Sequence, residues 1–334
     1  MDDLLNILTI KSLEIGFSSG SRNILLPPLS GSAVKGELIA IIGRNGIGKS
    51  TLLRTLAAIQ QPLGGEIYYF NKEIREYSGI DLARTAGYIS IESVKVSNMT
   101  VYDLVSLGRF PYTGWLGNIS QEDHEIIADA MEKASVASFS GRFLAEMSDG
   151  ERQKAMIARL LAQNTGIMLM DEPTAFLDIR SKFDILHLLH QLCHKSGRTI
   201  IFTTHDLEMA IRHSDKIWLM LGSGLMEGAP EDLMIAGQFD HLFESSSIIF
   251  NSGDGTYQFR EESRGSIFIK GSGKLRHWTE EAVRRAGYLI SEAATIPYID
   301  LEDDKWVIVS AGENKECNSV YELVRRLPEE DLLI

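Results

Sequence analysis

Apolar positions along the chain keep two rhythms that exchange repeatedly. ILTIKSLEI at 7–15 and ELIAII at 37–42 read as strands, the second a near-continuous apolar run of the kind buried on both faces of a parallel sheet. TLLRTLAAIQQ at 51–61 has helical spacing, and PLGG ends it. Further strands are predicted at Glu66–Tyr69, Thr85–Ile89, Ile167–Met170 and Thr199–Thr203, with helices at Glu122–Ala134, Glu151–Gln163 and Arg180–Lys195 between them. This alternation predicts an α/β domain built on a largely parallel sheet. KIWLM at 216–220 is the last strand of the pattern, and GSGLMEGAPEDL after it reads as a turn and the start of a short helix.

Past about residue 245 the texture changes. GSIFIKGSG, a helix at Thr279–Ala286, strands in IPYIDLE and KWVIVSA, and a helix at Ser319–Leu327 predict a small α+β unit. At 334 residues and 44% hydrophobic content the chain can build one large or two modest cores. The expected division is a main domain over 1–245, with a helical part at about 95–165, and an appendage over 246–334.

Charge narrows the partners. A net charge of -13 and a pI near 5.1 argue against general affinity for nucleic-acid backbones, which requires clustered Lys and Arg. Cys193 and Cys317 lie far apart and outside any metal-ligand spacing, so they are expected as reduced thiols. MDDLLNILTI has no basic region before its apolar stretch, and no apolar run reaches about 18 residues. The chain is therefore expected neither to be exported nor to span a membrane.

GRNGIGKST at 43–51, between a strand and a helix, fits a phosphate-binding loop at all its fixed positions. Gly43, Gly46 and Gly48 let the backbone turn N–H groups toward phosphate oxygens, and the helix adds its positive end. Lys49 can reach the outer phosphates and Ser50 can ligate Mg²⁺; Asn45 and Thr51 complete the expected nucleotide contacts. IMLMDE at 167–172 is an apolar strand ending in two acids whose side chains are expected on opposite faces. Asp171 then suits the magnesium and Glu172 the attacking water. His205 follows TIIFTT at the end of another strand, where it can meet the γ-phosphate. Ser148 and Gly150 precede a helix and form a second anion cradle, which a symmetric dimer explains by letting each copy close over the other's ATP. Ser148 with Glu151 also reads as a capping box, and both roles can hold together.

GRNGIGKST, MSDGERQ, IMLMDEPTAFLD and TTHD, in this order and spacing, resemble the Walker A, signature, Walker B with D-loop, and H-loop motifs of the ABC ATPases, over roughly residues 7–240. The resemblance implies a P-loop ABC-type nucleotide-binding domain, ATP and Mg²⁺ as ligands, and a homodimer formed on ATP binding. It places Phe17 as the adenine-stacking aromatic, the alternative being a core aromatic, and Asp178 as the D-loop acid that joins the copies. Two departures stand out. The signature reads MSDGE, with Met147 and Asp149 where the family usually has Leu and Gly. GYISIES lacks the family's Gln, its place being taken by Ile91 or Glu92; Glu92 can offer an oxygen to Mg²⁺ or water but cannot donate as an amide does.

MTVYDLVSLGRFPYTGWLG at 99–117 lies where such ATPases contact their membrane partner, and GRFPY with TGWLG is similar to importer ATPases for iron-siderophores, haem and vitamin B12. Phe110, Tyr112 and Trp115 are read as partner anchors, with folding back onto a core as the alternative. This likeness implies an integral membrane permease, an external substrate-binding protein acting indirectly, and a cytoplasmic position on the inner face of the membrane. A soluble ABC-type ATPase acting on nucleic acid or ribosomes is the competing reading; a single phosphate loop, the lack of heptads and the acidic charge weigh against it. For the appendage, a sensing or dimer-stabilising role rests on analogy with ferredoxin-like folds alone.

Overall fold

The computed structural model describes residues 6–18, 22–90, 98–114, 117–244, 248–251, 256–259, 263–294, 297–302, 305–310 and 314–327. Two units result, one of Met1–Glu244 with Ser252–Thr256 and the other of Ser245–Asn251 with Tyr257–Ile334.

The first unit begins with β1 (Asn6–Glu14), β2 (Gly16–Phe17), β3 (Asn23–Ile24), β4 (Leu29–Val34) and β5 (Leu38–Gly43), then α1 (Lys49–Leu56). β6 (Gly64–Tyr69), β7 (Lys72–Glu73), α2 (Gly79–Thr85) and β8 (Ala86–Ile89) follow. Next come α3 (Val101–Ser106), α4 (Gln121–Lys133), α5 (Asp149–Ala162), β9 (Ile167–Met170), α6 (Ile179–Ser196) and β10 (Thr199–Thr203). The unit closes with α7 (Leu207–His213), β11 (Lys216–Leu221), β12 (Gly224–Gly228) and α8 (Pro230–Ile235).

β5 buries its first five residues and β9 and β10 all of theirs, as strands covered on both faces must. They lie inside a six-stranded sheet of order β12-β11-β5-β10-β9-β8, parallel except for the edge strand β12. The α/β class read from the alternation is the one observed. The strands at 7–15 and 66–69, however, leave the parallel sheet and pair antiparallel in a second sheet, β4-β1-β6-β7. One core joins Ile10 and Ile67 of that sheet, Leu52 and Leu56 of α1, and Ile41 and Ile201 of the parallel sheet, so the helix after the phosphate loop is fixed by both. The segment after 220 read as a turn carries β12, which pairs with β11 from Leu221↔Gly224 onward.

Three of the helices between β8 and β9 start on reciprocal caps. Thr100 with Asp103, Ser120 with Asp123 and Ser148 with Glu151 each exchange side-chain and backbone hydrogen bonds, each cap contributing about 1 kcal/mol. α3 and α4 pack against α5, and Leu104, Ile127 and Ile157 on the three helices are buried. α6 ends at Gly197, whose φ of 63° supplies the left-handed cap.

The second unit contains a hairpin of β13 (Ile248–Asn251) and β14 (Thr256–Phe259), then β15 (Ser266–Lys270), α9 (Gly273–Arg285), β16 (Leu289–Ser291), β17 (Tyr298–Glu302), β18 (Lys305–Val309), β19 (Asn314–Cys317) and α10 (Val320–Arg326). Its sheet runs β16-β15-β17-β18-β19, with β15 parallel to both neighbours and β17 to β19 an antiparallel meander. Ile267, Ile269, Val283, Ile299, Ile308 and Leu323 form its core. The order of elements differs from the βαββαβ run of ferredoxin-like folds, so that analogy falls. α9 also starts six residues before the predicted Thr279. Its first turns carry open Lys274, His277 and Trp278, which hide the apolar periodicity.

Candidate functional site

Three adjacent strands, β5, β10 and β9, end on the same side of the sheet, and each is followed by chemistry-bearing residues. β5 runs into the glycine-rich loop. Gly46 and Gly48 hold φ of 78° and 113°, a region that disfavours side chains, and a Cβ on Gly43 would lie 2.7 Å from the Met220 carbonyl oxygen. α1 has no side-chain cap at Gly48, which leaves the N–H groups of its first turn to an anion. Asn45 is exposed on the loop, and Thr51 continues the first turn of α1.

Lys49 is 6% exposed, and its Nζ donates to the carbonyls of Gly43 at 2.8 Å and Arg44 at 3.4 Å. Burial pushes its pKa down, while the charges of Glu172 and Asp171 pull it back up. Ser50 Oγ donates to Asp171 Oδ1 at 2.9 Å. Asp171 is itself 2% exposed.

The two acids after β9 turn to different partners. Asp171 faces Ser50, whereas Glu172 Oε1 lies 2.8 Å from His205 Nε2. Glu172 sits in the left-handed region, φ 52°, the kind of backbone strain that persists where surrounding structure over-determines it. Burial raises its pKa to about 7; Lys49 pulls it down and Asp171 pushes it up. Burial also lowers the pKa of His205, helped by Lys49 and opposed by Asp171. Near neutral pH the pair therefore brings a half-ionised carboxyl within 2.8 Å of a neutral imidazole.

Thr203 is a site residue the sequence reading missed. Its Oγ1 donates to Asp171 Oδ1 at 2.7 Å and accepts the Glu172 backbone N–H at 2.9 Å. The available signal was a hydroxyl at the end of a strand otherwise apolar, TIIFTT, two residues before His205.

The other expected site residues stand apart from this group. Phe17 is 48% exposed on the β2–β3 hairpin, which rules out the core alternative. Ser148 caps α5, its N–H held by Glu151 at 2.8 Å. Gly150 faces Ser181, whose Oγ a Cβ would approach to 2.7 Å, and Ser181 is held by Asp178, the cap of α6, at 2.8 Å. The signature turn and the Asp178 turn are thus packed together within one chain. No hydrogen bond or ion pair among the described residues joins Ser148, Gly150 or Asp178 to Lys49, Asp171 or Glu172. Ile91, Glu92 and Trp115 lie outside the described residues.

GRFPY divides between packing and surface. Gly108 lies against the Arg159 carbonyl, 2.2 Å from where its Cβ would stand. Arg109 is buried, pairs with Asp123 at 2.7 Å and donates to the Ala162 carbonyl at 2.9 Å. Tyr112 lies over Arg109 and donates to the Gln163 carbonyl at 3.1 Å. Tyr112 thus folds back onto the helices, while Phe110 stays 75% exposed. Phe110, Pro111 and Leu107 border a groove of about 350 Å³ that continues along α2, β8 and Ile59.

Known proteins bear on this geometry. The family described as ABC transporter matches residues 26–175, and that described as Iron ABC transporter C-terminal domain matches 264–328. The iron(3+)-hydroxamate import ATP-binding protein of Bacillus subtilis is 36% identical over 246 residues, 73% of this chain and 90% of that one. The ferric enterobactin transport ATP-binding protein of Escherichia coli is 36% identical over 217 residues, 65% of this chain and 80% of its own. An uncharacterised ABC transporter ATP-binding protein of Methanocaldococcus jannaschii is 33% identical over 255 residues, 76% of this chain and 87% of its own. Among solved structures, a metal-chelate type ABC transporter in an inward-facing conformation superposes with a TM-score of 0.62 at 25% identity, over 72% of this chain and 89% of that chain. A dimeric ATP-binding cassette bound to ADP and Pi superposes with 0.58 at 26% identity, over 67% and 98%.

Proposed function

The chain belongs to the family of ABC transporter ATP-binding proteins, and from that premise we propose that it is the ATP-hydrolysing subunit of an importer for iron-siderophore, haem or cobalamin-type metal chelates. It works as a homodimer with a membrane-embedded permease. No helix among the described residues is long and apolar enough to cross a membrane, so energy must pass to the permease through surface contact. The groove beside Phe110 is the surface this reading assigns to that contact. An external substrate-binding protein, a cytoplasmic place on the inner membrane face and indifference to nucleic acid complete the proposal. No observation favours a soluble ATPase acting on nucleic acid or ribosomes.

The carrying observation is the junction of Lys49, Ser50, Asp171, Glu172 and His205 at three adjacent strand ends. Ser50 and Asp171 place two hard oxygens 2.9 Å apart, a donor set that fits Mg²⁺, which takes few protein oxygens beside phosphate and water. When bound, Mg²⁺ supplies charge neutralisation on the phosphate oxygens. The chain's own part is positional. Lys49 exchanges the Gly43 and Arg44 carbonyls for phosphate oxygens, and N–H groups of the loop hold the anion. Glu172, its pKa near 7, accepts a proton from the attacking water, and neutral His205 orients it and then meets the γ-phosphate. Ser148 and Gly150 of the second copy complete the cradle.

ATP hydrolysis by the purified chain, alone and with its permease in lipid, tests this. The expected result is a rate raised by the permease and raised again by chelate-loaded binding protein. A rate indifferent to the permease but stimulated by DNA or ribosomes overturns it.

A further inference from the structure

Three consecutive carbonyls just ahead of Phe17 are each taken by a different part of the first unit. The Leu63 N–H donates to the Glu14 carbonyl at 2.9 Å, the Leu25 N–H donates to the Ile15 carbonyl at 3.0 Å, and the Gln60 side-chain amide donates to the Gly16 carbonyl. Arg22, just before β3, ties the same root of the hairpin by pairing with Glu14 and donating to the Leu63 carbonyl at 3.1 Å. Gly16 leaves no slack, since a Cβ there would lie 1.9 Å from the Asn23 carbonyl oxygen and 2.9 Å from Leu63 Cδ1. On its other side the root leans on the phosphate loop: a Cβ on Gly48 would stand 3.1 Å from Leu25 Cδ1 and 3.2 Å from Ile15 Cδ1. Gly48 opens α1, and Gln60 lies just past the end of that helix, its backbone N–H bound to the Arg54 carbonyl at 3.2 Å. The residues at both ends of α1 therefore hold the hairpin that carries Phe17, while the ring itself stays about half open. An open aromatic held at a set reach from a phosphate loop is a stacking platform for a planar base.

We infer that Gln60 is a positioning residue for the base of the nucleoside triphosphate: its amide fixes the Gly16 carbonyl, and so sets where the Phe17 ring meets the base when the phosphates lie in the loop. The inference rests on the ATP reading above and deepens it. Glu14 and Ile15 are held by backbone donors, which any residue supplies, whereas the bond to Gly16 depends on the side chain at position 60. No hydrogen bond among the described residues joins Gln60 to the phosphate loop, Asp171 or Glu172. Gln60 therefore acts on the base alone, through Phe17, while the loop N–H groups and Lys49 act on the phosphates. Gly16 is buried, so losing the amide leaves its carbonyl short of a donor and frees the hairpin to drift against α1. A platform that must be re-ordered each time a base arrives binds it more weakly, although every phosphate contact is intact.

The test measures the affinity of the full chain for ATP and for inorganic tripolyphosphate, which has no base, by isothermal titration, together with KM and kcat for ATP. Phe17→Ala should weaken ATP binding about tenfold and leave tripolyphosphate unaffected. Gln60→Met, close in size but without the donor, should weaken ATP binding about three- to tenfold, raise KM by the same factor and leave kcat within about twofold and tripolyphosphate unchanged. The double variant should be no weaker than Phe17→Ala alone, because both act through one ring. If Gln60→Met weakens both ligands alike, lowers kcat in proportion, or adds its loss to that of Phe17→Ala, Gln60 merely supports the fold and the inference is overturned. Unchanged ATP affinity in Gln60→Met overturns it too, with the Phe17 platform left standing. Unchanged ATP affinity in Phe17→Ala removes the platform and the inference together, and a wild-type chain that binds neither ligand overturns the ATP reading itself. Should Gln60→Met fold poorly, Gln60→Glu decides, since it keeps the shape and offers no N–H: it must show the same loss for ATP alone, and normal ATP affinity overturns the inference.

Discussion

The hydroxyl of Thr203 bridges to Asp171, donating to Oδ1 at 2.7 Å, while it accepts the backbone N–H of Glu172 at 2.9 Å. One side chain on β10 therefore fixes both the carboxylate that faces Ser50 and the strained backbone that aims Glu172 at His205. Thr203→Val keeps the shape and removes both bonds. It should cost about 1–3 kcal/mol in denaturant unfolding, because a buried N–H and a carboxylate lose their partner. ATP turnover should fall at least tenfold, and Thr203→Ser should restore most of both.

The raised pKa of Glu172 gives a pH signature. Its folded value of about 7 lies above the ordinary 4.5, so between these values the folded chain binds more protons than the unfolded. Its contribution to stability is full below about 4.5 and is lost as pH rises through about 7. Solvent access to the site discounts the effect to about 1–2 kcal/mol. Glu172→Gln should flatten this part of the stability curve. In parallel, kcat/KM for ATP should rise with pH up to about 7 and level off above it, since the base must be ionised.

Lys49 gives up the Gly43 and Arg44 carbonyls to meet phosphate. Lys49→Ala should weaken ATP binding tenfold or more by isothermal titration, with the fold intact by circular dichroism.

Gly150 touches Ser181 so closely that a methyl group must displace it. Gly150→Ala should shift the turn held by Asp178 and lower the melting temperature by a few degrees, equivalent to about 1 kcal/mol. ATP-driven dimerisation should fall further than stability does, because both displaced turns are assigned to the dimer face. Ser181→Gly in the same chain should recover part of the loss.

The buried pair of Arg109 and Asp123 joins the GRFPY stretch to α4. Arg109→Met leaves the carboxylate unpaired and should destabilise the chain by about 3–5 kcal/mol in urea unfolding. The Asp123 carboxyl, held down to about 2 by hydrogen bonds from Ser120 with Arg109 adding to them, should then titrate nearer its ordinary 3.8.

Much of this was legible in sequence because strand and loop chemistry are local. A fully apolar run such as IMLM predicts a doubly covered strand, and the residues just past it face the ligand side. Lys49, Ser50, Asp171, Glu172 and His205 were found that way. What escaped was set by tertiary contact. Strand pairing sends β1 and β6 into an antiparallel sheet, and β12 depends on its register with β11. Thr203 looks like any strand threonine until Asp171 is beside it. Tyr112 and Phe110 are aromatics two residues apart, and only packing against Arg109 and Gln163 half-buries one and leaves the other open.

The central claim is that Lys49 of one copy and Ser148 with Gly150 of the other hold a single ATP. Light scattering on size-exclusion fractions tests it with Glu172→Gln, which keeps ATP uncleaved, and with Glu172→Gln/Gly150→Asp, which adds a negative charge to the second cradle. Glu172→Gln should be monomeric without ATP and dimeric with it, while the double variant should stay monomeric in ATP and still bind the nucleotide with near-wild-type affinity. A double variant that dimerises as readily as the single one, or that loses ATP affinity as a monomer, would contradict the shared site.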